Sequence, residues 1–279
     1  MYLIVFSLCT IASFSFVAKD SAIKKESTAK TQKRLDRFTS LVQSRTFELK
    51  NQKYNVQSFL MMKEEVSNFD FLIFLLWLKD NNRIEDHDRY YPDTTFSNHF
   101  PSLGTYLKSP HYRDFPVVGV THEAAVAYCE WATERNRERI LNQNIKFRLP
   151  TKEEWIWAAK GGQANAIYGW NGQFVNETNA NFRHVNAARI TVDSIGNPIV
   201  LNDVAKIDQP LMPNSKSTFA PNGFGLYNMN GNVAEMISEP NVVMGGSYMD
   251  FGHDIQSTSE RVMTTKSLFD VGFRCVVEY

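Results

Sequence analysis

The sequence predicts an α/β (α+β) domain with low regular secondary structure. Up to Gly162 the chain alternates short apolar runs of strand length with capped stretches of helical spacing. Beyond Gly162, periodicity gives way to glycine, asparagine and short apolar pieces, the pattern of irregular coil with a few short strands. The 279 residues, 43% of them apolar, can supply a substantial core, enough for one large domain or two small ones. Thirty basic residues balance thirty acidic ones, so nothing steers the whole chain toward nucleic acid.

The N-terminus is apolar from Tyr2 to Ala18 and turns polar at Lys19-Asp20. Residues 1–18 therefore read as a secretory signal peptide or, near the lower length limit of a spanning helix, a membrane anchor. Ser13-Phe14-Ser15 supplies small residues for cleavage. Cys9 is a poor lipidation site because Leu8 is large. Residues 19–56 are charged and poor in aromatics and read as a polar spacer, with a helix around 30–44. The main domain is then expected over 57–279.

Ser58-Phe59-Leu60-Met61-Met62 reads as a strand. Ser67 or Asn68 can cap a helix running to about Asp80, apolar nearly all round and hence deeply packed. Residues 81–115, punctuated by Pro92, Pro101 and Pro110, read as loop. Thr121 caps a helix carrying Ala124, Ala125, Tyr128, Cys129 and Trp131. Proline restriction makes the segment before Pro150 extended. Thr151 and Glu154 then form a capping box, and Gly161-Gly162 ends that helix. The long coil that follows must be pinned by side-chain hydrogen bonds, buried aromatics or ions. Beyond the leader only Cys129 and Cys275 remain, readable either as a disulfide of an exported domain or as two buried thiols.

An ordered set of motifs runs through the chain: Pro116-Val117-Val118-Gly119-Val120-Thr121, Arg148-Leu149-Pro150-Thr151-Lys152-Glu153-Glu154-Trp155, Gly225-Leu226-Tyr227-Asn228-Met229, Gly231-Asn232-Val233, Gly245-Gly246-Ser247 and Gly272-Phe273-Arg274-Cys275. This set resembles the formylglycine-generating enzyme (sulfatase-modifying factor) family from about Gln57 to Tyr279. The resemblance implies that family's fold, distantly like C-type lectins. It implies a Cys129–Cys275 disulfide, stabilising by ~2–5 kcal/mol. It also implies structural calcium: one set from Asn230, Gly231, Val233 and Glu235, a second from Asn181, Phe182, Asp193 and Ile195.

The family's oxidase chemistry uses two active-site cysteines, lying shortly after Gly-Gly-Ser, that hold copper(I). Here residues 245–254 contain no cysteine; Met249 and His253 are the nearest metal-binding types, more simply a packed thioether and a surface imidazole. The family's Gly-Asn-Val-Trp-Glu-Trp reads Gly231-Asn232-Val233-Ala234-Glu235-Met236, its Trp after Val-Thr is His122, and the arginine before Gly-Gly-Ser is Met244. No His-x3-His-x-Glu pattern of the related iron enzymes occurs. No redox metal and no catalytic residue is therefore expected.

Residues 91–94 and 109–120 resemble the gliding-motility and type IX secretion lipoproteins of Bacteroidota. The expectation is an exported, non-catalytic structural or binding component of a bacterial envelope assembly, in the periplasm, outer membrane or cell surface. Its partners are other envelope proteins, and it meets the membrane only through the N-terminal segment. The alternatives are a metal-dependent oxidase with an altered site, or a ligand-binding module by lectin-like analogy.

Overall fold

The computed structural model describes residues 28–49, 51–95, 102–139, 144–170, 172–175, 178–183, 189–192, 198–201 and 212–278. The expected leader lies outside them. Residues 28–49 and 51–56, expected within the spacer, are instead built into the domain. Helix α1 (Thr28–Phe38) leads into strand β1 (Thr39–Val42), followed by a hairpin of β2 (Arg45–Leu49) and β3 (Gln52–Val56). Charged and polar residues outweigh a thin apolar side in these elements: Leu35, Val42, Phe47 and Val56 are all buried.

Strand β4 (Phe59–Met62) is the hub. It pairs with β1, Thr39 opposite Met62, and with the C-terminal β12 (Val276–Glu278), which also pairs with β5 (Lys146–Arg148). The result is an antiparallel sheet in the order β1-β4-β12-β5. Successive side chains of a strand face opposite ways, and β4 divides the core accordingly. Leu60 joins Phe147 and Val277 against helices α2 (Asn68–Asp80) and α5 (His122–Arg139). Phe59 and Met61 join Val276 against helix α6 (Lys152–Ala159), whose Trp155, Ile156 and Trp157 are buried.

The expected caps form. Ser67 Oγ accepts from Asp70 N at 3.2 Å and Asp70 Oδ2 from Ser67 N at 3.3 Å. Thr151 and Glu154 make the same reciprocal pair at the start of α6. Arg148 clamps Glu154 with two bonds of 2.7 Å, tying β5 to that helix. Thr121 Oγ1 accepts from Ala124 N at 3.1 Å. Helix α2 is less deeply packed than its sequence suggests. Phe71, Phe74, Leu75 and Leu78 are buried, but Leu76 is 54% exposed and Phe69 is 39% exposed beneath the Arg113 guanidinium.

The stretch 81–115 is not all loop. It holds α3 (Ile84–Tyr90), α4 (Leu103–Lys108) and a 3₁₀ turn at Pro110–Tyr112. The prolines mark element ends here: Pro110 opens the 3₁₀ turn, and Ser102 caps α4 through Thr105 N.

The second half contains little ladder, as expected. Strands β6 (Arg189–Val192) and β7 (Pro198–Leu201) form an isolated hairpin. Short strands β8 (Ala234–Met236), β9 (Val242–Met244), β10 (Glu260–Val262) and β11 (Val271–Gly272) make a second sheet in the order β10-β9-β8-β11, with only β8 and β11 parallel. Asparagine side chains hold the rest. Asn222 Nδ2 donates to Ala158 O at 2.8 Å while its Oδ1 accepts from Phe224 N and Leu226 N. Asn230 donates to Ile255 O and accepts from Gly169 N, both at 2.8 Å.

Candidate functional site

Three charged side chains meet in the core between the two sheets. Arg274, on the link from β11 to β12, is fully buried. Its Nε donates to Glu235 Oε2 at 2.8 Å and its Nη2 to Glu235 Oε1 at 2.6 Å. The remaining protons go to the carbonyls of Tyr227 (2.8 Å) and Lys63 (3.0 Å). Trp155 Nε1 donates to Glu235 Oε2 at 2.9 Å. Glu65, two residues before the β-bridge at Ser67 that precedes α2, is 1% exposed and accepts from Asn232 Nδ2 at 2.8 Å and Asn228 Nδ2 at 3.1 Å. Two carboxylates thus face one guanidinium. Burial pushes Glu65 up to about 7; Arg274 opposes the rise and Glu235 adds to it.

The residues expected to hold calcium fall into this neighbourhood unevenly. Glu235 lies on β8 with both oxygens engaged by Arg274 and Trp155. Asn230 spans Gly169 and Ile255. Gly231 has φ +79°, and a Cβ there would lie 2.4 Å from Asn181 O, so its backbone abuts that carbonyl. Asn232 N donates to the same Asn181 O at 2.8 Å, joining the first expected set to the start of the second. Val233 packs with Tyr248 and Val118, and Phe182 with Tyr168 and Ile255. Asp193 and Ile195 lie outside the described residues. Among the described residues no three His, Cys, Asp or Glu side chains cluster as a metal site. Two features nonetheless suit a cation: the excess carboxylate at Glu65, and Asn228 Oδ1, a buried oxygen without a hydrogen-bond partner.

The loop after Gly245-Gly246-Ser247 is closed on itself. Ser247 is fully buried; its N and Oγ both reach Asp250 Oδ2 at 2.8 Å, and Oγ lies 2.9 Å from Asp270 Oδ2. Arg261 Nη2 holds Asp270 Oδ2 at 2.7 Å. Met249 packs against the cluster of Leu103, Tyr106 and Tyr248. His253 is 86% exposed and sits 3.2 Å from Asp254. The two side chains therefore serve separate surroundings and do not converge on one point. A surface hollow lined by Phe47, Tyr54, Lys152, Glu153 and Ile156 encloses only about 10 Å³, far below the few hundred cubic ångströms usual for a small-molecule site.

Cys129 on α5 and Cys275 before β12 are brought together in the core, with their Sγ atoms 2.7 Å apart. Burial, then the neighbouring Cys275, raises the Cys129 thiol well above its usual range.

Sequence reasoning missed Glu65, Asn228, Asn232, Asp270 and Arg261. Nothing in Lys63-Glu64-Glu65 separates the partly exposed Glu64, paired with Lys216 at 3.0 Å, from the buried Glu65. The only available signal for the asparagines was their density in 222–232 beside positive-φ glycines.

The chain is similar to known proteins at three levels. A family model described as Sulfatase-modifying factor enzyme 1-like domain matches residues 32–279. The chain is 26% identical over 194 residues to Formylglycine-generating enzyme of Mus musculus, covering 61% of this chain and 46% of that protein. It is 30% identical over 207 residues to Formylglycine-generating enzyme of Thermomonospora curvata, covering 65% and 59%. It is 29% identical over 181 residues to Inactive C-alpha-formylglycine-generating enzyme 2 of Bos taurus, covering 58% and 49%. The chain thus spans about half the length of the curated relatives it matches. Among solved structures, CarF matches with a TM-score of 0.58 at 19% identity, over 86% of this chain and 98% of the other. PvdO from Pseudomonas aeruginosa matches with a TM-score of 0.56 at 14% identity, over 86% and 92%. At such identities these two show a shared fold alone.

Proposed function

The chain belongs to the Sulfatase-modifying factor enzyme 1-like family, and from that premise we propose that it is a non-catalytic member, exported and serving as a structural or binding component of a cell-envelope assembly. One observation carries this reading. The loop after Gly245-Gly246-Ser247 offers no thiol, and the two cysteines of the domain lie against each other in the core. A copper(I) centre of the family's kind needs two thiolates facing a substrate; Cys129 and Cys275 face one another. The similarity to a relative named inactive favours the same reading. In an exported protein these cysteines form a disulfide, and calcium supports the coil near Asn228 to Glu235, where Asn228 Oδ1 and backbone carbonyls supply oxygen. The finer placement among gliding-motility and type IX secretion lipoproteins is supported by residues 91–94 and 109–120 alone; the relatives reported above do not bear that description.

A second reading, a metal-dependent oxidase with altered ligands, is favoured by the likeness to proteins named Formylglycine-generating enzyme. Copper(I) titration of the purified chain against a chromogenic chelator separates the two. The proposal predicts no stoichiometric copper(I) once Cys129 and Cys275 are oxidised. Stoichiometric copper that is lost in Met249→Leu or His253→Ala would favour the oxidase.

A further inference from the structure

The chain is neutral overall, but its charge is unevenly placed. Between Lys19 and Arg37 stand seven basic residues against three acidic ones, which leaves the rest of the chain with 23 against 27. A basic end on an otherwise acidic chain is the pattern of proteins that meet a polyanion at that end. Helix α1 carries the centre of the basic run. Lys30, Lys33, Arg34 and Arg37 recur at i, i+3, i+4 and i+7, the spacing of one helix face. The single acid of the helix, Asp36, falls outside that spacing.

The domain holds this helix in place. Leu35 is 1% exposed in the main core, and the Phe38 ring stacks on Phe147 with centroids 6.4 Å apart. Thr39 Oγ1 donates to Leu35 O at 2.8 Å and Lys63 N to Phe38 O at 2.9 Å. Lys63 Nζ donates to Asp36 O at 2.6 Å, which brings a further cation to the last turn. Lys33 and Arg37 are exposed, and Arg34 is half-buried.

A charged helix face in water needs no explanation by itself. Here its setting selects a partner. The apolar stretch Tyr2 to Ala18 ends nine residues before Thr28, and nine residues reach at most about 30 Å. With that stretch in a bilayer, α1 stands within reach of the headgroups. Each Lys or Arg beside an anionic lipid surface then strengthens contact by about fivefold. The same surface repels the acidic remainder of the chain, so the molecule settles with α1 toward it. Nucleic acid offers the same charge, but nothing in the chain brings it beside α1.

We propose that the basic face of α1 docks on an anionic phospholipid surface, with residues 1–18 as the anchor that holds it there. An apolar segment and a basic patch are the two signals that together make a stable membrane contact. The proposal goes beyond the non-catalytic reading and does not depend on it.

The test reconstitutes the full chain into vesicles of phosphatidylcholine alone and of phosphatidylcholine with phosphatidylglycerol. Lysines are labelled with an amine-reactive ester and read residue by residue by mass spectrometry, with the exposed Lys266 as internal standard. We expect Lys33 to react at least about tenfold more slowly on the anionic vesicles, and high salt to remove the difference. Arg37→Gln should lower that protection about fivefold; Arg37 is exposed, and circular dichroism verifies the fold of the variant. Equal labelling of Lys33 on the two kinds of vesicle overturns the proposal, as does protection that persists unchanged in Arg37→Gln. Equal protection by a duplex oligonucleotide at matched phosphate concentration also overturns it, because the face then takes any polyanion. In each of those cases the non-catalytic reading stands.

Discussion

The helical half of the molecule, residues 28–162, and the coil-rich half, 212–278, reach order by different means. In the first, order begins locally: a cap lies three residues from its partner, as in Ser67–Asp70 and Thr151–Glu154. In the second, single side chains reach across the chain. Asn232 binds Glu65 across 167 residues and Arg274 binds Lys63 O across 211. A helix can lose one bond and persist. A coil held by individual polar groups has no neighbouring turn to absorb the loss, and each buried group left unpaired costs its full desolvation. The coil half should therefore be the more brittle.

The strongest challenge to that comparison is Arg274→Met. It leaves Glu235 and Glu65 buried without their cation, and removing one partner of a buried pair costs roughly 3–5 kcal/mol. Urea denaturation should show the midpoint falling by that equivalent; a loss under 1 kcal/mol would mean the charge centre does not hold the two halves together.

Glu65 sets the next largest effect. Its proton is held more tightly in the folded state, about 7 against the ordinary 4.5. Its contribution is therefore fully present below pH 4.5. As pH rises the unfolded chain ionises first, and stability falls until about pH 7, by a total of roughly 3 kcal/mol. Glu65→Gln should flatten this slope, and Asn228 can then turn its unpaired Oδ1 toward the new amide. An unchanged slope in the variant would assign the pH dependence elsewhere.

Asn222→Ala removes an acceptor for two backbone amides and a donor to Ala158 O. It should cost about 2 kcal/mol and raise hydrogen exchange at Phe224 and Leu226 while sparing α2. Thr151→Ala is the matched change in the helical half and should cost about 1 kcal/mol. If it proves more damaging than Asn222→Ala, the comparison is reversed.

The same contrast explains what could be read in advance. Helices α2, α5 and α6 were legible because their caps and apolar faces are periodic and local. Helices α3 and α4 were hidden by prolines that end elements as readily as they break them. Strands β2 and β3 were hidden because polar and charged residues flank Phe47 and Val56, and β1 because Thr39 and Ser40 leave only Leu41 and Val42 as an apolar signal. The motif order placed the Ser247 loop and brought Cys129 to Cys275. It did not reveal that Glu235 spends its carboxylate on Arg274, nor that Glu65 is the buried acid of its pair. Facing is decided by contacts 39 and 80 residues away for Glu235 and 163 and 167 residues away for Glu65, and no local pattern carries that information.

The central functional claim is that this fold has kept its scaffold without the thiols for peptidyl oxidation. The most direct measurement incubates the purified chain with copper(I), oxygen and a cysteine-containing sulfatase-type peptide, followed by mass spectrometry of the peptide. The account predicts that the thiol survives at the rate of a protein-free control. Enzyme-dependent appearance of the aldehyde, persisting in Cys129→Ser/Cys275→Ser, would contradict it.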